Sequence, residues 1–274
     1  VKKTGIFLVL SLAGIIVYFV GGYWFGITPF WRTVIKCALP VLLLFFTVLC
    51  SRYEELRPWR SISLAFLAAS CGFLVAWMFS DSLLSWMGFP TDTVSGIAMA
   101  KLTESVLIVL PAYLVARVGG LTNDLMYLRR GKLLAWMIIG IGTFTAFAVL
   151  FLVQVSGSGI EGKFFLSLLP WALIFVFANG FMEEFHFRGL LLSPFEGVLG
   201  KHGANFCIAL FFTLIHAPVQ YTPDIAIFLF ILFVLALAWG YVIQRTESIW
   251  GAVLFHAGAD LLLVTGIFET YGAA

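Results

Sequence analysis

The sequence predicts an all-α fold, a polytopic helical membrane protein with about eight or nine transmembrane helices. Three observations predict it. Of the 274 residues, 62% are hydrophobic and 11% charged, against roughly 45–50% and about 25% in an ordinary soluble domain. The apolar residues gather into long runs, each close to the roughly 20 residues that cross a hydrocarbon core. Lys and Arg collect in alternate connections between those runs. No aqueous core buries 29 Phe and 9 Trp so arranged, which excludes a water-soluble enzyme and a disordered chain. A net charge of +2 provides no basic face for nucleic acid.

Taken in order, the runs predict helices near 5–25, 34–50, 61–79, 102–119, 133–154, 164–184, 203–217, 224–243 and 249–268. The first follows Lys2 and Lys3 and is too long, and lacks a small-residue cleavage site, for a secretory signal. It reads as a retained anchor, and because the sequence begins at Val1 the expected native start is trimmed or lies upstream. The connection from Ser80 to Lys101 carries Trp86, Met87, Phe89 and Pro90 and is expected to be interfacial or re-entrant. Leu190 to His202 is open between loop and membrane segment. Pro40, Pro111 and Pro170 fall inside spans and are expected to kink them. No repeat or linker divides the chain, so residues 1–160 and 161–270 form one integrated domain.

Orientation follows from the basic residues. Twelve, among them Lys2, Lys3, Arg57, Arg129, Lys132 and Arg188, fall on one side, and four, Arg32, Lys36, Lys101 and Lys163, on the other. The asymmetry predicts a cytoplasmic N-terminus. Cys37, Cys50, Cys71 and Cys207 lack paired spacing and read as small apolar packing residues.

Ionisable side chains inside a span are costly, and each is a functional candidate. Glu104 lies near a helix end and reads as interfacial, as do His186 and His202. The remaining set lies in the last third: Glu183, Glu184 and Arg188 in FMEEFHFRG, His216 in FFTLIHAP, and His256 with Asp260 in LFHAGADLL. Glu184 and Arg188 are four apart on one helix face and can pair, while Glu183, about 100° away, points elsewhere. His256 and Asp260 are also four apart and project into one volume. A carboxylate and a neutral imidazole can polarise water as a general base, and a further donor can stabilise an oxyanion. The same residues are acceptable zinc ligands, although the HExxH pattern is absent.

EExxxR at Glu183, Glu184 and Arg188, FxxxH at Phe212 and His216, and HxxxD at His256 and Asp260 resemble the signature of the CAAX prenyl protease 2 and bacteriocin-processing (CPBP, or Abi) family. The resemblance covers roughly residues 164–265. It implies an intramembrane glutamate-dependent endopeptidase cutting a peptide bond near the cytoplasmic face, without a cofactor. Glu183 and His216 would activate water, Arg188 would act through Glu184, and His256 with residue 260 would line the oxyanion site. Eukaryotic prenyl proteases of the family have Asn at that last position; Asp260 stands here, as in many bacterial members. The implied partners are the lipid bilayer and a membrane-protein, lipidated or leader-peptide substrate. The short loops are similar to those of bacterial members and imply the bacterial plasma membrane.

Depth poses a problem for this reading. With Glu183 ending an inward helix and His216 near the outer end of the next, about 15–20 Å would separate them. A shared water requires about 5 Å. The alternatives to a protease are a non-catalytic scaffold or immunity-type protein, a zinc protease, and a transporter, for which paired broken helices are lacking.

Overall fold

The computed structural model describes residues 2–23, 26, 28–157, 162–219 and 222–270. Phe25, the 160/161 division and the side chains of Lys2 and Lys163 lie outside the described residues. Nine α-helices are described: α1 (Lys2–Gly14), α2 (Pro29–Arg52), α3 (Arg60–Met87), α4 (Val94–Val118), α5 (Leu133–Gly157), α6 (Gly162–Glu183), α7 (Leu190–Ile215), α8 (Ile225–Thr246) and α9 (Trp250–Thr270). Wider π-helical turns extend α1 over Ile15–Tyr23 and join α6 to α7 over Glu184–Gly189. Eight segments among the described residues are long and apolar enough to cross a membrane. Such segments satisfy their backbone polar groups internally, as a hydrocarbon solvent demands.

Local chemistry sets the helix ends. Pro29 occupies the first turn of α2, where its missing N–H costs nothing. Thr93 Oγ1 accepts from Gly96 N to start α4, and Asp224 Oδ1 accepts from Ala226 N and Ile227 N to start α8. Gly88, left-handed at φ 74°, ends α3. The stretch expected to be interfacial from Ser80 is therefore mostly helix, since α3 runs to Met87 and α4 starts at Val94.

The larger difference concerns Leu190–His202. Instead of a loop, α6 continues through its π-helical turn into α7, and the chain leaves helical geometry at Gly200 (φ 74°, ψ 168°). The two arms then fold together, as the rings of Phe187 and Phe212 show at 4.8 Å. Polar bonds gather near this turn. Gln244 Nε2 donates to Lys201 O and to Glu196 Oε1, and Tyr127 Oη donates to Glu196 Oε2 at 3.1 Å. Burial, followed by the Glu196 carboxylate, pushes the Tyr127 phenol above its ordinary range. Arg129 pairs with Glu247 and Lys132 N donates to Thr246 O, tying the α4–α5 connection to the α8–α9 turn.

Two of the basic residues counted for orientation are buried. Arg188 is wholly buried within the α6–α7 join. Lys36 is buried in α2 and donates from Nζ to Gly21 O and Gly22 O, capping the carboxyl end of the first helix, where a cation is favourable. Outward faces of α2, α5 and α8 present Val41, Phe45, Ile138, Val153 and Phe230, the apolar surface that a lipid solvent tolerates.

Candidate active site

Three elements supply the ionisable cluster: the α6–α7 join, the end of α7 and the middle of α9. The join follows Glu183, the last residue of α6, and is π-helical, with Leu190 N donating to Phe185 O five residues back. Such a wide turn inserts one residue into the helix and re-aims its side chains. Tyr18, wholly buried in the extension of α1, donates from Oη to His186 O at 2.6 Å, satisfying a carbonyl inside the irregular turn. His186 is not interfacial as the sequence suggests. It is wholly buried, 4.5 Å from the Phe73 ring, with Nε2 donating to Ala69 O. An apolar wall of Tyr18 and Phe73, distant in sequence, outweighs its polarity. His202 is exposed.

Glu184 and Arg188 are both fully buried and pair at 3.0 Å. Arg188 also donates from Nη2 to Ala236 O and lies over the rings of Phe212 (4.4 Å) and Trp239 (5.4 Å). A buried cation needs such compensation on every side. Glu184 Oε1 accepts a second bond, from His256 Nδ1 at 2.8 Å. Because the same oxygen accepts from Arg188, the carboxylate is the acceptor and His256 carries its proton on Nδ1. Trp239 stacks flat on the His256 ring at 3.8 Å and 6°, holding its plane.

The free edge of that imidazole faces the cluster. His256 Nε2 lies 3.5 Å from Glu183 Oε2 and 3.6 Å from Asp260 Oδ1. On the other side, Glu183 Oε1 lies 3.8 Å from His216 Nε2. His216 donates from Nδ1 to Phe212 O at 2.8 Å, which leaves Nε2 directed at Glu183. Asp260 accepts from Asn179 Nδ2 at 3.0 Å. All six sequence candidates thus meet, with Glu183 between two imidazoles from two other helices. The depth conflict disappears because Glu183 lies within a continuous helix and not at its end.

Asn179, which with Gly180 just before the glutamates reads from sequence as bending the helix or lining the cavity, joins the cluster through Asp260, and Trp239 is the part for which the sequence carried little signal. Asn179 lies one turn before Glu183 on the same face; Trp239 sits on a helix without charge in its span. Glu104 pairs with Lys101 at 2.6 Å, both half-buried. Among the described residues, no group of three or more His, Cys, Asp and Glu side chains has the arrangement of a metal site. An open apolar groove of about 890 Å³ runs between α4 and α6, lined by Val106, Leu110, Tyr113, Phe177, Phe181 and Trp250. None of the six candidates lines it.

No curated protein and no solved structure matches the chain. Residues 165–262, the segment that builds the cluster, match the family model described as Rce1-like, Type II CAAX prenyl endopeptidase Rce1-like. The resemblance carried by EExxxR, FxxxH and HxxxD therefore holds for this segment, which is similar to a family of CAAX-type membrane proteases.

Proposed function

We propose that the protein is an intramembrane endopeptidase in which Glu183, assisted by His216, activates the hydrolytic water. The observation that carries this reading is the position of one buried carboxylate between His216 Nε2 at 3.8 Å and His256 Nε2 at 3.5 Å. A 3.8 Å separation is too long for a direct hydrogen bond and suits a water bonded to both groups. As the water oxygen bonds to the peptide carbon, Glu183 takes one proton and His216 Nε2 accepts the other hydrogen bond. The carbonyl π pair moves to oxygen. Collapse of the intermediate breaks the C–N bond, and Glu183 returns its proton to the departing amine, leaving a carboxylic acid. Arg188 fixes Glu184, and Glu184 fixes the His256 tautomer, as positioning residues. With Nδ1–H held by Glu184, a second proton on Nε2, which makes the ring an imidazolium, turns that edge into a donor to the oxyanion.

The substrate we propose is a membrane-associated polypeptide, lipidated or leader-bearing, approached from the cytoplasmic side, a side supported by the asymmetry of basic residues between alternate connections. The apolar α4–α6 groove suits its hydrocarbon part. The test is cleavage of a quenched-fluorescent farnesylated CAAX peptide and of membrane-bound leader-peptide reporters by the protein in nanodiscs, without added metal. Wild-type cleavage, reduced about 10²–10⁴-fold by Glu183→Gln at unchanged thermal stability, supports the reading. Equal processing by wild type and Glu183→Gln, or no cleavage of any reporter, overturns it in favour of a scaffold. Loss of cleavage on chelation, restored by zinc, overturns the metal-free mechanism.

A further inference from the structure

Asp260 has no N–H to offer an oxyanion, and as a carboxylate it repels one. Yet its Oδ1 lies 3.6 Å from His256 Nε2, the edge to which the proposed mechanism gives the oxyanion. The structure brings an amide there from another helix. Asn179 shares a face of α6 with Glu183, and its Nδ2 donates to Asp260 Oδ2 at 3.0 Å. A carboxamide nitrogen carries two N–H groups. That bond is the one side-chain hydrogen bond of Asn179 among the described residues, so the second N–H is not committed to them. Asn179 is half-buried, whereas His256 and Asp260 are buried; the amide is the more open end of the pair.

The placement is built into the packing. Gly180 lets α6 approach α9 so closely that a Cβ there would stand 3.1 Å from Ala257 N and 3.3 Å from Val253 O. Beside that contact, Asn179, Asp260, His256 and Glu183 form a polar chain. Asp260 holds Asn179 with Oδ2 and faces His256 Nε2 with Oδ1 at 3.6 Å, and Nε2 faces Glu183 at 3.5 Å.

We propose that the second N–H of Asn179, aligned by Asp260, donates to the oxyanion formed on the substrate carbonyl. Asn179 is then a catalytic residue and Asp260 the positioning residue that orients it. The inference rests on the protease reading, and it assigns opposite tasks to the two partners: position 179 supplies the donor and position 260 the anchor. An amide between the carboxylate and the oxyanion also separates the two negative charges and so lessens their repulsion.

The experiment uses the full chain in nanodiscs with the farnesylated CAAX peptide as probe, comparing wild type, Asn179→Ala, Asn179→Asp and the double exchange Asn179→Asp/Asp260→Asn. An oxyanion donor acts on the transition state, so Asn179→Ala should lower kcat about 10²–10³-fold with KM within about two-fold. Asn179→Asp, equal in shape, should fall at least as far. The double exchange restores an amide–carboxylate pair, and with it any packing role of that pair, but leaves a carboxylate at the donor position, so its melting temperature should recover while its kcat stays within about three-fold of Asn179→Asp. Thermal melts accompany each kinetic measurement. A kcat within about three-fold of wild type in Asn179→Ala, a loss carried by KM, or a double exchange that recovers about ten-fold over Asn179→Asp overturns the proposal and leaves the protease reading standing. Failure of the wild type to cleave the peptide overturns the assignment of this substrate, and the protease reading falls only if the leader-peptide reporters also stay intact.

Discussion

Glu183 and His216 face each other at 3.8 Å across a helical hairpin because Gly200 lies almost midway between them along the chain. Each arm rises about 24 Å from the turn at 1.5 Å per residue, so the arms reach the same depth. The turn depends on φ 74° with ψ 168° at Gly200, a region essentially confined to glycine. A Cβ there meets nothing within 4 Å, so the cost of adding one is in the backbone. Gly200→Ala should lower stability by about 1–3 kcal/mol and, by shifting one arm against the other, reduce kcat more than the stability loss explains. Thermal melts and peptide-cleavage kinetics on the same preparation check this. Unchanged values for both would show that the turn does not set the register.

The hairpin also marks where the sequence stopped being readable. Hydropathy located the spans because lipid demands long apolar runs, and the i, i+4 spacing of Glu184 with Arg188 and His256 with Asp260 carries their pairing directly. Leu190–His202 defeated the same reasoning: Lys201, His202 and Pro194 look like loop residues, while buried Leu190, Leu191, Leu192 and Phe195 make the segment a helix. His186 was misread for a related reason. Its environment comes from Tyr18, Ala69 and Phe73, contacts more than a hundred residues away that no local pattern records. Trp239 meets its partners on other helices, so spacing within its own helix is silent about it, whereas Asn179, four residues before Glu183, shares that residue's face and only its bond to Asp260 on another helix goes unrecorded.

Arg188 and Glu184 illustrate a buried pair whose halves are not separable. Arg188→Met leaves the Glu184 carboxylate buried without its cation, and a loss of about 3–5 kcal/mol is expected. Arg188→Lys should rescue little, because one ammonium cannot replace a planar fork that reaches both Glu184 and Ala236 O. Adding Glu184→Gln to Arg188→Met removes the stranded charge and should recover much of the stability, since Gln Oε1 can still accept from His256 Nδ1. Activity should stay low for want of the charge that fixes His256. Melting temperature and kcat measured in parallel separate the two effects; joint recovery of both would deny Arg188 its positioning role.

Tyr18 links the N-terminal helix to the site through one hydrogen bond, Oη to His186 O at 2.6 Å. Tyr18→Phe keeps the ring contacts with Phe73, Phe187 and Phe211 and strands a buried carbonyl, at a cost of about 1–3 kcal/mol. The irregular turn that carries Glu184 and Arg188 should loosen. Faster hydrogen exchange over Glu184–Gly189, with a several-fold lower kcat, is the expected result, and protection equal to wild type there would count against the link.

Trp239 lies between the two groups that fix the site's electrostatics, stacked on His256 at 3.8 Å and beneath the Arg188 guanidinium at 5.4 Å. Its flat alignment restricts the imidazole to the plane in which Nδ1 meets Glu184 and Nε2 meets Glu183 and Asp260. Trp239→Phe keeps an aromatic face of smaller area; losing about 1 kcal/mol of stacking should lower kcat roughly five-fold with little change in KM. Trp239→Ala opens a cavity at a fully buried position and should cost about 3–5 kcal/mol in stability, with a far larger loss of turnover. Trp239→Leu is the discriminating variant, because it fills much of the volume without a π face. If stacking orients His256, Leu should melt close to Phe yet turn over several-fold more slowly; equal kcat for the two would reduce Trp239 to a space-filler.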